Sequence, residues 1–204
     1  MREIGRVKLV QIQKRSLKFG ERPQRYYDPS PLLVVEALRV TPEGCVGLIG
    51  EGERILDKHH SEHPASGYSG NNGISLGFTG HYEMMRREFG AHLIDGCAGE
   101  NILIDSGRVY QISDLGKNVY IESAATGERV VLNEIVSAAP CVQFSCYAID
   151  HGRSAYNPEI EKERIKRALQ FLSDGVRGFY AAGEQGGGEG LIRAGDRVYV
   201  NDKQ

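Results

Sequence analysis

No stretch of this chain is apolar for long enough to span a bilayer, and residues 1–6 (Met-Arg-Glu-Ile-Gly-Arg) do not lead into a signal-type apolar segment. The expectation is a cytoplasmic protein without a membrane span. An excess of either charge is missing too, with a formal net charge of −2 and an isoelectric point near 6.3, so no global attraction to nucleic acid or anionic membrane is expected. Paired cysteines are also lacking. Cys45, Cys97, Cys141 and Cys146 are scattered rather than framed as CxxC, which suits reduced thiols and rules against a disulfide scaffold. No flavin, haem or iron–sulfur motif is present, and the glycine run Gly186-Gly187-Gly188-Glu189-Gly190 lacks the GK[ST] ending and following helix of a phosphate loop. It reads as a turn.

What is present is ordinary globular material. With 204 residues, 40% hydrophobic and 25% charged, the chain can bury one substantial core, so residues 1–204 are read as one domain. Residues 6–13 alternate as a half-buried strand, and 32–40 form a second β-rich run. Thr41-Pro42-Glu43-Gly44 then supplies a tight turn into a strand at 45–49. From 56 to 77 the composition turns to His, Ser, Gly and Asn, which predicts a long loop and a candidate wall for a site. A helix follows, with Thr79 as N-cap, Tyr82, Met85 and Phe89 on one face and Gly90 as its stop. A second helix is expected over 158–172, with Pro158 in the first turn and strands at 176–181 and 197–200 after it. The fold class is mainly β with minor helices.

Cys141 is the most informative residue. The run 130–136 reads as a strand, and Ala138-Ala139-Pro140 breaks it just before the sulfur, because proline has no N–H to give a ladder. The thiol therefore emerges at a rim, where a thiolate can ligate a soft metal, act as a nucleophile or carry sulfur. Gly99-Glu100-Asn101 enters the apolar strand 102–104, placing a carboxylate and an amide to face a cavity mouth, or else forming a turn that launches the strand. Arg177 sits in a glycine-bracketed strand and either contacts an anion or pairs with an acidic neighbour. Arg153, after Asp150-His151-Gly152, is placed to reach the Cys141 rim or to stay at the surface. His59, His60 and His63, with Cys97 or Glu62, raise a zinc site, but the spacing matches no zinc signature and solvated loop histidines are the alternative. Cys146 reads as a packed small hydrophobe.

Ala98-Gly99-Glu100-Asn101-Ile102-Leu103-Ile104, Pro140-Cys141 after a strand, Gly175-Val176-Arg177-Gly178-Phe179-Tyr180 and the closing Gly190-Leu191-Ile192-Arg193-Ala194-Gly195-Asp196-Arg197-Val198 together resemble the MOSC domain. That family takes its name from the C-terminal domain of molybdenum cofactor sulfurases. The resemblance covers most of the chain and is strongest over 95–200. It implies a barrel-like β fold whose cysteine, matched here by Cys141, ligates the molybdenum of a pterin cofactor or carries sulfur as a persulfide. Arg177 is the first choice for an anion contact, Glu100 and Asn101 are its companions, and Lys58 and His60 match a basic loop of stand-alone members. Beyond His60 the loop departs from the family pattern. Three functions follow: a molybdenum-dependent oxidoreductase of N-hydroxylated or related small substrates fed by a separate reductase, a sulfurtransferase fed by a separate cysteine desulfurase, or a cofactor-binding module. The chain is too short to hold a pyridoxal-phosphate domain as well, so that cofactor is only a family-level association.

Overall fold

Burial along the first strand sets the architecture. In β1 (Arg2–Gln13), Ile4, Val7, Val10 and Ile12 are buried, so one face of a long strand is committed to a core. The computed structural model describes residues 1–183 and 190–202, which leaves most of the glycine run 186–190 outside the described residues. After β1 come β2 (Lys18–Phe19), β3 (Tyr26–Tyr27), β4 (Leu32–Val34), β5 (Ala37–Thr41), β6 (Gly44–Ile49), β7 (Glu53–Leu56) and β8 (Ile74–Phe78). Helix α1 (Thr79–Phe89), β9 (Ile102–Asp105), α2 (Ile112–Leu115), β10 (Val119–Glu122) and β11 (Arg129–Ser137) follow. The chain continues through α3 (Val142–Ile149), α4 (Lys162–Phe171), β12 (Phe179–Gly183), β13 (Leu191–Ile192) and β14 (Arg197–Val200).

Strands β1, β14, β10, β11, β12, β8 and β9 close into a seven-stranded barrel, because β1 pairs β14 through its start and β9 through its middle. Register shifts between Glu3 and Gly5 and between Val7 and Leu9 bend β1 enough to serve both neighbours. Closure removes the exposed edges that an open sheet would present. The fold class is thus the mainly β, barrel-like one expected. Among the described residues only β8 and β9 run parallel, and that pairing requires the crossover supplied by α1. A second sheet in the order β13-β5-β6-β7 packs on the barrel through Leu38, Val40 and Cys45. Each fully buried Ile, Leu or Phe in this core contributes roughly 1.5–3 kcal/mol relative to exposure. A separate apolar cluster of Leu17, Tyr27, Tyr82, Met85, Phe144 and Leu172 lies between barrel and helices. Cys141 packs against this second cluster.

Several expectations need correcting. The run 32–40 is two strands: Val35 N–H donates to Val10 O and Glu36 N–H to Leu48 O, so the chain crosses there from barrel to second sheet. The loop expected to reach residue 77 ends at 73. Ile74–Phe78 is a fully buried barrel strand in which Ser75 bonds to Asn101 rather than forming a turn. Thr79 is the first residue inside α1, not its cap, and its Oγ1 donates to Asp105 Oδ1 at 3.0 Å. Helix α4 starts at Lys162, not Pro158, because Glu159 N–H is taken by Asn157 Oδ1 in a turn and Glu161 is the N-cap. Residues 176–178 form a turn closed by Arg177 N–H donating to Leu172 O, so Arg177 precedes β12 rather than lying in it. Among the described residues no helix is long and apolar enough to cross a membrane.

One buried titratable group in this frame has a measurable consequence. His81 is 1% exposed, edge-on to Phe78, with Nε2 within 3.0 Å of the Tyr110 amide, and burial lowers its pKa from 6.5 to about 4. Between those values the unfolded chain binds a proton that the folded one refuses. His81 therefore contributes stability that is complete above pH 6.5 and is lost as pH falls toward 4, by about 3 kcal/mol. Denaturant titrations at pH 7 and pH 4 should show His81→Gln reducing the pH-dependent loss by that amount; an unchanged slope rejects the assignment.

Candidate functional site

Strand β11 gives out where expected and for the expected reason. Ala138 N–H still donates to Gly178 O at 2.9 Å, but Pro140 has no N–H to continue, and the chain turns directly into α3. Cys141 is the N-cap of that helix, with φ −119° and ψ 149°, and its Sγ accepts from Phe144 N–H at 3.5 Å. Ser, Thr, Asp or Asn ordinarily fills this position. A sulfur here faces the free amides of the first helical turn, and that end of a helix favours negative charge. Sequence reasoning missed α3 because residues 142–149 are almost wholly apolar and no oxygen-bearing cap announces them.

Cys141 opens onto a cavity of about 170 Å³ lined also by Lys18, Tyr27, Lys58, His59, Arg177 and Tyr180. Four elements far apart in sequence meet here: the segment after β1, the loop after β7, the start of α3 and the turn before β12. Arg177 is held by a hydrogen bond donated from Nη2 to Ala98 O, with its guanidinium carbon 4.8 Å from the centre of the Phe144 ring. Burial alone would lower its pKa, yet Tyr27, Glu100, Tyr180 and Cys141 hold it above the ordinary arginine value. It is a fixed cation beside the thiol.

Glu100 and Asn101 lie behind this cavity rather than at its mouth. Glu100 is 2% exposed and accepts from Tyr82 OH at 2.7 Å, while that hydroxyl accepts from Ala98 N–H at 3.0 Å. Burial raises the Glu100 pKa, and Arg177 and Tyr82 act in the opposite direction. The carboxylate fits because its neighbours lack side chains. A Cβ on Gly77 would sit 2.8 Å from Glu100 Oε1, and Gly178, at φ +114°, would bring one 2.9 Å from Leu76 O. Asn101 is fully engaged inside the fold: Oδ1 accepts from Ser75 N–H and Oγ–H, and Nδ2 donates to Asp57 Oδ2 at 2.9 Å.

Asp57 is the residue that the sequence did not flag. It is fully buried and accepts from Gln13 N–H at 2.7 Å, His59 N–H at 2.8 Å and Asn101 Nδ2, and His59 Nδ1 lies 3.2 Å from its Oδ1. One carboxylate thus ties the end of β1, the start of β9 and the loop carrying Lys58 and His59. The DKHH order of residues 57–60 was the available signal, read for its cations and not for the acid that anchors them.

The basic loop contributes Lys58, as the resemblance implied, but it is His59 that lines the cavity. His60 is 4% exposed and its Nδ1 accepts from Glu62 N–H. His63 turns to Lys14 O and Ala65 N–H, and among the described residues no group of three or more His, Cys, Asp or Glu side chains is placed to hold a metal ion by itself. Arg153 pairs with Asp150 at 3.6 Å and lines a different cavity, with Cys146.

No family model matches the chain, and no curated protein does. Among solved structures, the YuaD protein from Bacillus subtilis superposes with a TM-score of 0.58 at 13% identity, covering 98% of this chain and 97% of that one. A second, described as a hypothetical protein, gives 0.56 at 14% identity, over 100% of this chain and 69% of that one. The likeness is one of fold. At such identities the side chains around Cys141 stand on their own chemistry.

Proposed function

We propose that this chain is a MOSC-type protein that binds a molybdenum cofactor through Cys141 and reduces N-hydroxylated or related small molecules with electrons from a separate reductase. The observation that carries the reading is a partly exposed thiol at the N-terminus of α3 sharing one cavity with Lys18, Lys58, His59 and Arg177. The donor set fits such a group in kind. Cys141 offers the soft sulfur that molybdenum accepts, and the cations offer charge-assisted hydrogen bonds to an anionic pterin phosphate. Bound there, the cofactor would supply two-electron chemistry that the side chains of this protein cannot. The protein's own work is binding, orientation and proton handling. Arg177 and the two lysines hold negative charge, and Arg177 keeps its place through Ala98 and Phe144. His59, tethered at Nδ1 by Asp57, has Nε2 left to exchange a proton with a bound substrate.

A second reading is favoured by the size of the cavity. At about 170 Å³ it is small beside ordinary cofactor sites, and a persulfide on Cys141 would fit among the same cations. Sulfur would then arrive from a separate cysteine desulfurase. Protein expressed in a cofactor-producing host should contain stoichiometric molybdenum and reduce an amidoxime when a reductase is supplied. Metal-free protein that releases thiocyanate with cyanide selects the sulfur carrier. Protein with neither property sinks both readings.

A further inference from the structure

Tyr27 lines a second cavity as well, of about 260 Å³, between α3, α4 and the β3 segment. Its hydroxyl is committed to Cys97 O at 2.8 Å, so what it offers to either space is the ring. Tyr147 packs 5.3 Å from Tyr27, centroid to centroid, and Ile165 of α4 and Tyr156 complete an apolar wall. The mouth is open. Val142 is 45% exposed and Tyr156 43%, although both are large and apolar. The charged residues lining the cavity are Arg25, Arg153 and Lys162, with no carboxylate among them; Asp150, the partner of Arg153 at 3.6 Å, lies outside the lining.

We propose that this second cavity binds a small aromatic carboxylate, its planar body against Tyr27, Tyr147 and Ile165 and its charge toward Arg25, Arg153 and Lys162. An apolar cavity of about 150 Å³ holds a benzene, so 260 Å³ accommodates one or two fused rings with a carboxylate at the rim. Aromatic walls favour a flat ligand by offset stacking, and a lining that carries Arg25, Lys162 and Arg153 but no carboxylate selects its charge. The proposal does not depend on the chemistry of Cys141. Cys146 also lines this cavity and reports on it.

Calorimetric titration of the full chain with 2-naphthoate and with the neutral 2-naphthamide provides the test. Saturable binding at one site is expected, with the acid about tenfold tighter than the amide. Arg25→Gln with Lys162→Gln should erase that preference and spare amide binding. Ile165→Trp, which fills the cavity, should remove both, with circular dichroism checking the fold. In a Cys141→Ser background, 2-naphthoate should slow maleimide alkylation of Cys146. No saturable binding, equal affinity for acid and amide, or binding that survives Ile165→Trp overturns the proposal. Those outcomes leave molybdenum content and cyanolysable sulfur as they were, so failure here is distinguishable from failure of the function proposed above.

Discussion

Serine in place of Cys141 is expected to abolish molybdenum retention and cyanolysable sulfur, and to cut any amidoxime reduction by roughly 10³-fold or more, while the fold stays intact. The two effects separate because the residue does two jobs. As N-cap its Sγ accepts from Phe144 N–H, a task that a serine oxygen performs at least as well. As a ligand or carrier it must be a polarizable sulfur, and an alkoxide is inaccessible to serine near neutral pH. Thermal or urea unfolding of Cys141→Ser should match the wild type within about 1 kcal/mol, whereas Cys141→Ala, which loses the cap, should be less stable by about 1 kcal/mol. A serine variant that retains metal and sulfur at wild-type levels removes Cys141 from the chemistry altogether.

Alanine in place of Asp57 should cost on the order of 3–5 kcal/mol of stability, the largest effect expected of any single charged residue near the site. The carboxylate satisfies Gln13 N–H, His59 N–H and Asn101 Nδ2 at once, in a place with no solvent to replace it. Removing it takes the acceptor from Gln13 N–H, from His59 N–H and from one of the two Asn101 Nδ2 hydrogens, the other being directed at Gln11 O. The local consequence follows from the same bonds. Lys58 and His59 lose the anchor that puts them on the cavity wall, so activity should fall in whatever fraction remains folded. Urea denaturation measures the first effect, and a loss under about 1 kcal/mol contradicts the role given to Asp57.

How much of this was legible in the chain depends on the range of the interactions involved. The mainly β class, the hairpin around Pro42 and the stop of α1 at Gly90 came from local alternation and turn chemistry, the barrel from the resemblance, and the structure has all of them. Helix α3 was hidden because its cap is a sulfur and its eight residues are apolar apart from Gln143 and Ser145, a pattern shared with buried strands. Strand β8 was hidden for the opposite reason. Ser75 and Gly77 look like turn residues, and only the partners Asn101 and Glu100, some two dozen positions away, show why a hydroxyl and a bare Cα belong in a core strand.

The sequence by itself determined that a thiol would stand at the end of β11, because Pro140 has no N–H with which to carry the ladder past Ala138. It also determined that basic residues at 58 and 177 were available to meet it. Tertiary structure alone decided that Cys141 caps a helix, that His59 and not His60 reaches the cavity, and that Glu100 and Asn101 work behind its wall. Those outcomes depend on which distant groups the closing barrel brings beside a buried side chain: Gln13 N–H at Asp57, Ser75 N–H at Asn101 and Tyr82 OH at Glu100. Such distances are set by long-range pairing and packing, and no local pattern encodes them.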